Sequence, residues 1–161
     1  MTSPQRGWWL EDATPGRVIQ HPGGRTIGAD EHPRLAWLTD NASDVHGDAH
    51  AAAAGPWGQP LVLGALSVAV VIGLAEPAVS GPQDAGRASP TGWSRIALSG
   101  VVVAGDTLVA ASTVETVAPD LDGRGGLVRR LIEGRNQHGV VVVRIQDQRW
   151  APSCNGGTTD C

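Results

Sequence analysis

The residues best suited to proton chemistry lie between positions 38 and 50, in the segment LTDNASDVHGDAH. His46 stands in a polar loop, and an imidazole with a reference pKa of about 6.5 can give or take a proton near neutrality. Asp48 precedes an Ala-rich stretch that favours a helix over residues 49–54. Its carboxylate is expected to accept hydrogen bonds from the free amides at that helix start. Such a cap would fix the loop that carries His46.

The most apolar part of the chain, residues 61–75, follows at short range and ends before Glu76 and Pro77. The run predicts a core helix that begins at Gly64. A membrane span needs roughly twenty apolar residues, and this run is shorter. A secretory signal is not expected, because MTSPQRGWWLED lacks a basic segment followed by an apolar one. A helix that is apolar all round must be wrapped on most sides.

These motifs, in this order, resemble the MaoC-like hydratases and dehydratases that act on acyl thioesters. In that family a loop of the type Gly-Asp-x-Asn-Pro-x-His-x-Asp precedes a short helix, and Gly-x-Pro-x-x-x-Gly leads into a central helix. Later, Gly-Asp-Thr-Leu begins a long strand. The resemblance covers about residues 15–150 and rests on His46, Asp48, Gly58, Pro60, Gly64, Gly105-Asp106-Thr107-Leu108 and the turn-like Asn136-Gln137-His138-Gly139.

The resemblance implies an α+β class and a single hotdog fold, in which a curved antiparallel sheet wraps around the central apolar helix. It divides the chain into an N-terminal arm (1–15), the hotdog domain (16–150) and a flexible tail (151–161). The residue pattern itself predicts two short strands around a Pro-Gly-Gly turn in 16–28. It also predicts antiparallel strands near 92–99, 101–117, 126–136 and 139–150.

A surface helix is predicted from Glu31 to Leu38, with Asp30 as its cap. Leu35, Ala36 and Leu38 fall on one side of this helix, and the charged residues fall on the other. The loop SGPQDAGRASPT is expected over residues 80–91.

By resemblance, Gly64 donates its amide to the oxyanion and His46 carries the proton. Asn41 stands where the family usually has a catalytic aspartate, and an amide cannot exchange a proton near neutral pH. Its expected role is to hold the water or hydroxyl group, with Asp44 and Ser43 as supporting residues. The mesaconyl-CoA and methylmalyl-CoA hydratase branch is similar in carrying Asn there after Leu-Thr.

Each site residue also has a purely structural interpretation. His46 could bond a loop carbonyl, Asn41 could end a helix or form a turn, and Gly64 could serve packing alone. Asp44 could be a solvated loop acid. A metal site is not predicted, since a helix that begins near 48 would break the alternation of Asp44, His46, Asp48 and His50.

Composition limits the remaining possibilities. The 161 residues suit one domain, and the absence of Phe and Tyr leaves a core of aliphatic residues and Trp. A net charge of -4 without a basic stripe argues against nucleic acid as a partner. Cys154 and Cys161 lie in the tail, so no core disulfide is expected and the chain suits the cytoplasm.

The resemblance therefore implies a hydro-lyase that hydrates 2-enoyl thioesters or dehydrates 3-hydroxyacyl thioesters. No cofactor is expected beyond coenzyme A or a carrier protein as the thioester's carrier. A homodimer or higher oligomer is expected, because the apolar area of such a sheet exceeds what one helix covers. Two alternatives stay open: a noncatalytic subunit of a heterodimeric dehydratase, and a thioester-binding enzyme reused in a biosynthetic pathway.

Overall fold

The computed structural model describes residues 9–76 and 88–154. A 3₁₀-helix at Leu10–Asp12 precedes the elements β1 (Val18–Gln20), β2 (Arg25–Thr26), α1 (Glu31–Leu38), α2 (Asp44–Gly47), α3 (Ala49–Ala54), α4 (Gly64–Ala75), β3 (Ser89–Leu98), β4 (Thr107–Pro119), β5 (Gly125–Arg135) and β6 (Val141–Pro152). Most of the predicted loop at 80–91 lies outside the described residues, as do the ends of the predicted arm and tail. Cys154 is disulfide-bonded, whereas two cysteines separated by six residues in a Gly/Thr-rich tail favour free thiols.

The strands form one antiparallel sheet in the order β1-β4-β5-β6-β3, and β2 also pairs with β4. The predicted antiparallel arrangement is confirmed. Although β3 and β4 follow one another in sequence, they do not pair, because residues 99–106 carry the chain from one side of the sheet to the other. Consequently β3 is an edge strand that contacts β6 alone within the described sheet.

The helix α4 lies against the central strands β4, β5 and β6. Alternate residues of those strands point toward it and form the main core with α4: Leu108, Ala110, Ile132, Val143 and Ile145. Gly134 of β5 allows the closest approach, since a Cβ atom at this position would overlap Cγ2 of Val71. The period-two pattern of the strands thus places the apolar helix on one face of the sheet.

The predicted bounds of α4 are confirmed, but the helix is not wrapped on most sides. Val70, Val71 and Ala75 are buried, whereas Ala65 and Ala69 are exposed in the described chain. The reason is that a single sheet covers a single side of a helix. No helix among the described residues has the length and hydropathy needed to cross a membrane.

The helix α1 forms where it was predicted, but two details of that prediction were wrong. Asp30 occupies the N-cap position without a capping bond, because its backbone is helical (φ -93, ψ -13). The inner side is made by His32 and Ala36, four residues apart. Leu38, which was expected inside, is exposed.

Charged side chains hold the C-terminal end of α4 against the sheet. Asp147 accepts from Nε of Arg130 at 2.6 Å and from Nε of Arg149 at 2.9 Å. Arg149 also bonds Glu76, the residue that follows the helix, at 2.7 Å. Arg130, Asp147 and Arg149 are each 1–2% exposed. We call these four residues the buried ion cluster.

His21 lies beside the buried ion cluster, with its Nε2 2.6 Å from the hydroxyl of Ser112. Burial lowers the pKa of His21 to about 4, and the positive charges of Arg130 and Arg149 act in the same direction. The negative charge of Glu76 acts against them. The imidazole of His21, near the C-terminal end of α4, is therefore neutral at physiological pH.

Candidate active site

The loop that carries His46 is fixed by the predicted cap. Oδ1 of Asp48 accepts from the amides of His50 and Ala51, both at 2.9 Å, at the start of α3. The residues before the cap are not an open loop, because they close into the single helical turn α2. The carbonyl of Ser43 accepts from the amide of His46 at 3.0 Å in this turn. A turn this short has no periodicity that would reveal it in the sequence.

His46 is half-buried, and its Nδ1 lies 2.8 Å from the carbonyl oxygen of Leu61. A carbonyl can only accept, so Nδ1 carries the proton, and in the neutral ring Nε2 then keeps the lone pair. The bond is the loop-carbonyl contact that the structural interpretation expects. It also has a chemical consequence, since it fixes the tautomer in which Nε2 is a base.

The segment that holds His46 is also the segment from which α4 begins. The amide of Leu61 donates to the carbonyl of Val45 at 2.9 Å, and Leu61 forms an isolated antiparallel bridge with Val103. Val62 and Leu63 are buried, and Gly64 opens the helix. The structure thus bonds His46 to the anchored segment that leads, three residues later, into Gly64.

The N-terminal end of α4 has no side-chain cap. The amides of Leu66 and Ser67 both bond the carbonyl of Leu63, at 3.0 and 3.1 Å. The amides of Gly64 and Ala65 therefore have no partner within the helix, and the positive end of the helix dipole lies here. Such a helix start can stabilise a developing negative charge.

Leu98 of the edge strand β3 lies against Gly64. A Cβ atom at position 64 would overlap Cδ1 of Leu98, so the packing interpretation of this glycine has a concrete basis. Leu98 is nevertheless 59% exposed, and its side chain has room to turn. Sequence reasoning missed this neighbour because the two residues are far apart in the chain.

Asn41 ends α1 in a Schellman motif. Its amide donates to the carbonyl of Ala36 at 2.8 Å, and the preceding Asp40 has a left-handed backbone (φ 53). The side-chain Oδ1 accepts from the amide of Ser43 at 3.1 Å. The backbone amide of Asn41 thus ends the helix, and its side-chain oxygen forms the turn. The exposed side-chain NH₂ group remains as a donor.

Among the described residues, no hydrogen bond or ion pair joins the side chain of either supporting residue to the imidazole. Ser43 stands at the N-cap of α2 without a side-chain capping bond. Asp44 is exposed in the first turn of α2. Since Nδ1 of His46 already bonds Leu61, neither residue is needed to orient the ring.

A second histidine near the site was not singled out from the sequence. His32 is 4% exposed on the inner side of α1, which packs against α2, and its Nδ1 has no hydrogen-bond partner among the described residues. Burial lowers its pKa, and the charge of His46 lowers it further. The spacing of His32 and Ala36 by four residues was the available signal for this buried position.

The described chain contains no group of three or more His, Cys, Asp or Glu side chains arranged to hold a metal ion. The carboxylate of Asp48 is engaged in capping α3, and α2 and α3 break the alternating spacing of the four candidate ligands. The site is therefore built from one oriented imidazole and one uncapped helix start.

No protein-family model matches the chain, and no curated protein matches it. Solved structures match it over most of its length. A putative MaoC domain protein dehydratase from Chloroflexus aurantiacus has a TM-score of 0.83 at 21% identity, covering 100% of this chain and 45% of that one. A MaoC-like dehydratase from Rhodospirillum rubrum has a TM-score of 0.77 at 22% identity, with coverages of 91% and 98%.

The (R)-hydratase from A. caviae involved in PHA biosynthesis has a TM-score of 0.67 at 21% identity, with coverages of 86% and 97%. A Mycobacterium tuberculosis protein described as a double hotdog fold has a TM-score of 0.73 at 18% identity, with coverages of 96% and 47%. The chain thus spans about half the length of the C. aurantiacus and M. tuberculosis proteins. The similarity confirms the predicted hotdog fold.

Proposed function

We propose that the chain is a hydro-lyase that reversibly hydrates a 2-enoyl thioester or dehydrates a 3-hydroxyacyl thioester. The observation that supports it best is the bond from Nδ1 of His46 to the Leu61 carbonyl. This bond leaves Nε2 basic, and the same segment leads into the uncapped start of α4 at Gly64. The hydratase and dehydratases of similar fold are consistent with this chemistry.

In the dehydration direction, Nε2 of His46 takes the proton from the α-carbon of the thioester. The electron pair moves toward the thioester oxygen, where the amide of Gly64 stabilises the charge. The double bond then forms as the bond from carbon 3 to its hydroxyl breaks, and the leaving hydroxyl takes the proton back from Nε2 to depart as water. Hydration is the reverse, with the side chain of Asn41 orienting the attacking water.

The substitution His46→Asn tests the role of Nε2. An Asn side chain can place its NH₂ group near the position of Nδ1 and keep the bond to Leu61, but it has no basic nitrogen. We expect turnover of enoyl and 3-hydroxyacyl thioesters to fall by about a hundredfold to ten-thousandfold, with folding unchanged in the circular dichroism spectrum.

His50→Asn is the matched control, because His50 lies four residues away on the exposed surface. It should retain activity within about twofold. Activity of His46→Asn within a few fold of the parent would show that another group carries the proton.

The second candidate is a noncatalytic subunit of a heterodimeric dehydratase. It is favoured by Asn41, whose side-chain oxygen is already bonded within the turn, and by Leu98, which lies over Gly64. In that case the purified chain turns over none of a panel of branched, carboxylated and simple enoyl-CoA substrates. Activity would appear only when a homologue with an intact aspartate is added.

Asn41→Asp separates these two functions, since it restores a proton-exchanging group with almost unchanged size. A gain of activity on simple enoyl-CoA would indicate a lapsed hydratase. A loss of activity would show that the amide takes part in the chemistry of this chain, and would support a substrate of the branched or carboxylated type.

A second copy of the chain is the proposed partner. The edge strand β3 is exposed along most of its length and presents Trp93, Ile96 and Leu98 as exposed apolar residues. An unpaired apolar edge favours pairing with another strand. We therefore expect at least a homodimer, and a monomeric mass in light scattering at micromolar concentration would contradict this proposal.

A further inference from the structure

The motif Gly105-Asp106-Thr107-Leu108 and the turn Asn136-Gln137-His138-Gly139 meet in the fold, although no role in the proposed reaction involves either. Oδ1 of Asp106 accepts from Nε2 of Gln137 at 2.7 Å. The side-chain oxygen of Gln137 accepts in turn from the amide of Thr107 at 2.9 Å. Asp106 is 8% exposed, so this carboxylate is held in the interior by defined partners.

The other oxygen of Asp106 faces the segment before β4. Oδ2 accepts from the amide of Val103 at 3.0 Å. Val103 forms the isolated bridge with Leu61, and the neighbouring amide of Val62 donates to the carbonyl of Val102 at 2.9 Å. Asp106 therefore fixes the backbone on which residues 61 and 62 rest.

Leu61 carries this restraint to the site in two ways. Its carbonyl binds Nδ1 of His46, and its amide binds the carbonyl of Val45 in the same helical turn as His46. Gly64 follows three residues later as the first residue of α4. A shift of residues 101–103 would displace the carbonyl that sets the tautomer of His46.

We propose that Asp106 is a positioning residue that acts through Val103 and Leu61 to hold His46 in its Nδ1-protonated tautomer. The inference rests on the proposed function of His46 for its catalytic consequence, whereas the tautomer itself can be measured without activity. Displacements of about 1 Å remote from the chemistry can cost about a hundredfold in rate. We therefore expect Asp106→Ala to lower kcat by about tenfold to a hundredfold, with little change in KM.

The decisive experiment exchanges the hydrogen-bonding roles of Asp106 and Gln137. Asp106→Asn alone sets an NH₂ group against the NH₂ group of Gln137, so kcat should fall. The double variant Asp106→Asn, Gln137→Glu restores complementary pairing, because the new amide can accept from Val103 and donate to the carboxylate introduced at position 137. We expect the double variant to recover kcat to within about threefold of the parent. This remaining reduction is small compared with the rate loss that a displaced group causes.

Nitrogen-15 NMR of the His46 ring supplies the readout that a merely structural role would not move. The parent and the double variant should show a single Nδ1–H tautomer, and Asp106→Asn should show a mixture. The control is Asp120→Asn, which removes the negative charge from the acceptor of the Trp150 indole at the remote turn. It should change neither the tautomer nor kcat.

A single unchanged tautomer in folded Asp106→Asn would overturn the proposal, as would a double variant that folds but keeps the mixed tautomer. Failure of Asp106→Asn to fold would leave the double variant as the test, since it can form the three bonds that link position 106 to Val103 and to position 137, and position 137 to Thr107. If the tautomer responds as expected while turnover does not, the tether stands and the assignment of His46 as proton carrier fails.

Discussion

The two ends of α4 are held by opposite means. The C-terminal end is surrounded by the buried ion cluster and by the neutral His21. The N-terminal end has no charged side chain within the helix and no side-chain cap, and in the described part of the chain its hydrogen bonds run through the backbone of residues 61–63. The fully buried charges therefore lie away from the candidate chemistry.

This difference has a physical reason. Buried ion pairs need complete compensation and hold their groups in fixed partnerships, so the groups are not available to a substrate. A helix start that keeps free amides can serve a substrate only if other backbone contacts position it. In this molecule ion pairs fix the C-terminal end of α4. Backbone hydrogen bonds position the N-terminal end and leave its first amides available.

The largest expected effect on folding comes from Asp147→Ala at the C-terminal end. The substitution removes the carboxylate that two buried guanidinium groups share, and breaking such an arrangement costs about 3–5 kcal/mol of unfolding free energy. Urea unfolding followed by tryptophan fluorescence would measure it. At low urea, the folded fraction should keep the parent's turnover per molecule.

Asp122→Ala is the control for that measurement, since Asp122 pairs with Arg124 on an exposed turn. Its unfolding midpoint should match the parent's. If Asp147→Ala were equally mild, the buried ion cluster would not anchor the helix, and the contrast between the two ends would be wrong.

A smaller effect is expected from glycine substitutions at two positions where an added Cβ meets a neighbour. At Gly134 the neighbour is Val71, a buried β-branched residue on α4 that cannot move aside, so Gly134→Ala should cost about 1–3 kcal/mol. At Gly64 the neighbour is the exposed Leu98, which can rotate. Gly64→Ala should cost less than about 1 kcal/mol, as measured by urea unfolding.

The pair Gly64 and Leu98 also distinguishes packing from chemistry. If the glycine is needed for the approach of substrate, Gly64→Ala should lose turnover, and adding Leu98→Ala should not restore it. If the glycine only makes room for Leu98, the double variant should regain the parent's rate. The second result would favour a structural role for Gly64.

The sequence predicted the fold to the extent that local pattern determines it. Strong periodic or apolar patterns mark residues 64–75 and the strands β4, β5 and β6. The cap formed by Asp48 follows from the chemistry of its carboxylate. The position of β3 beside β6 could not be predicted, because pairing across the sheet is set by packing between distant segments. The exposure of Leu38 was missed since a short helix offers little periodicity to choose its inner side.

The sequence and the resemblance proposed the side chains of the candidate site but not the backbone that links them. His46 and Gly64 were identified by spacing and resemblance, and the structure joins them through Leu61. That link is a carbonyl, which every residue possesses, so no residue type could reveal it. The partnership of Asp106 with Gln137 was hidden for a different reason, namely that the two residues are 31 positions apart and meet through the pairing of β4 with β5.

A further effect concerns pH, and it tests whether the C-terminal end of α4 excludes additional positive charge. Burial and the charges of Arg130 and Arg149 lower the pKa of His21 to about 4 in the folded chain, whereas an unfolded histidine has a pKa of about 6.5. Between these two pH values His21 is protonated in the unfolded chain and neutral in the folded chain. The free energy of unfolding is therefore unaffected by His21 above pH 6.5 and declines as the pH falls toward 4. The pKa difference sets an upper limit of about 3 kcal/mol, and partial exposure of the ring reduces it by solvent screening to about 1–2 kcal/mol. His21→Asn should flatten the unfolding free energy measured between pH 7 and 5 relative to the parent, and parallel pH curves for the two proteins would show that His21 does not sense the charges at this end of the helix.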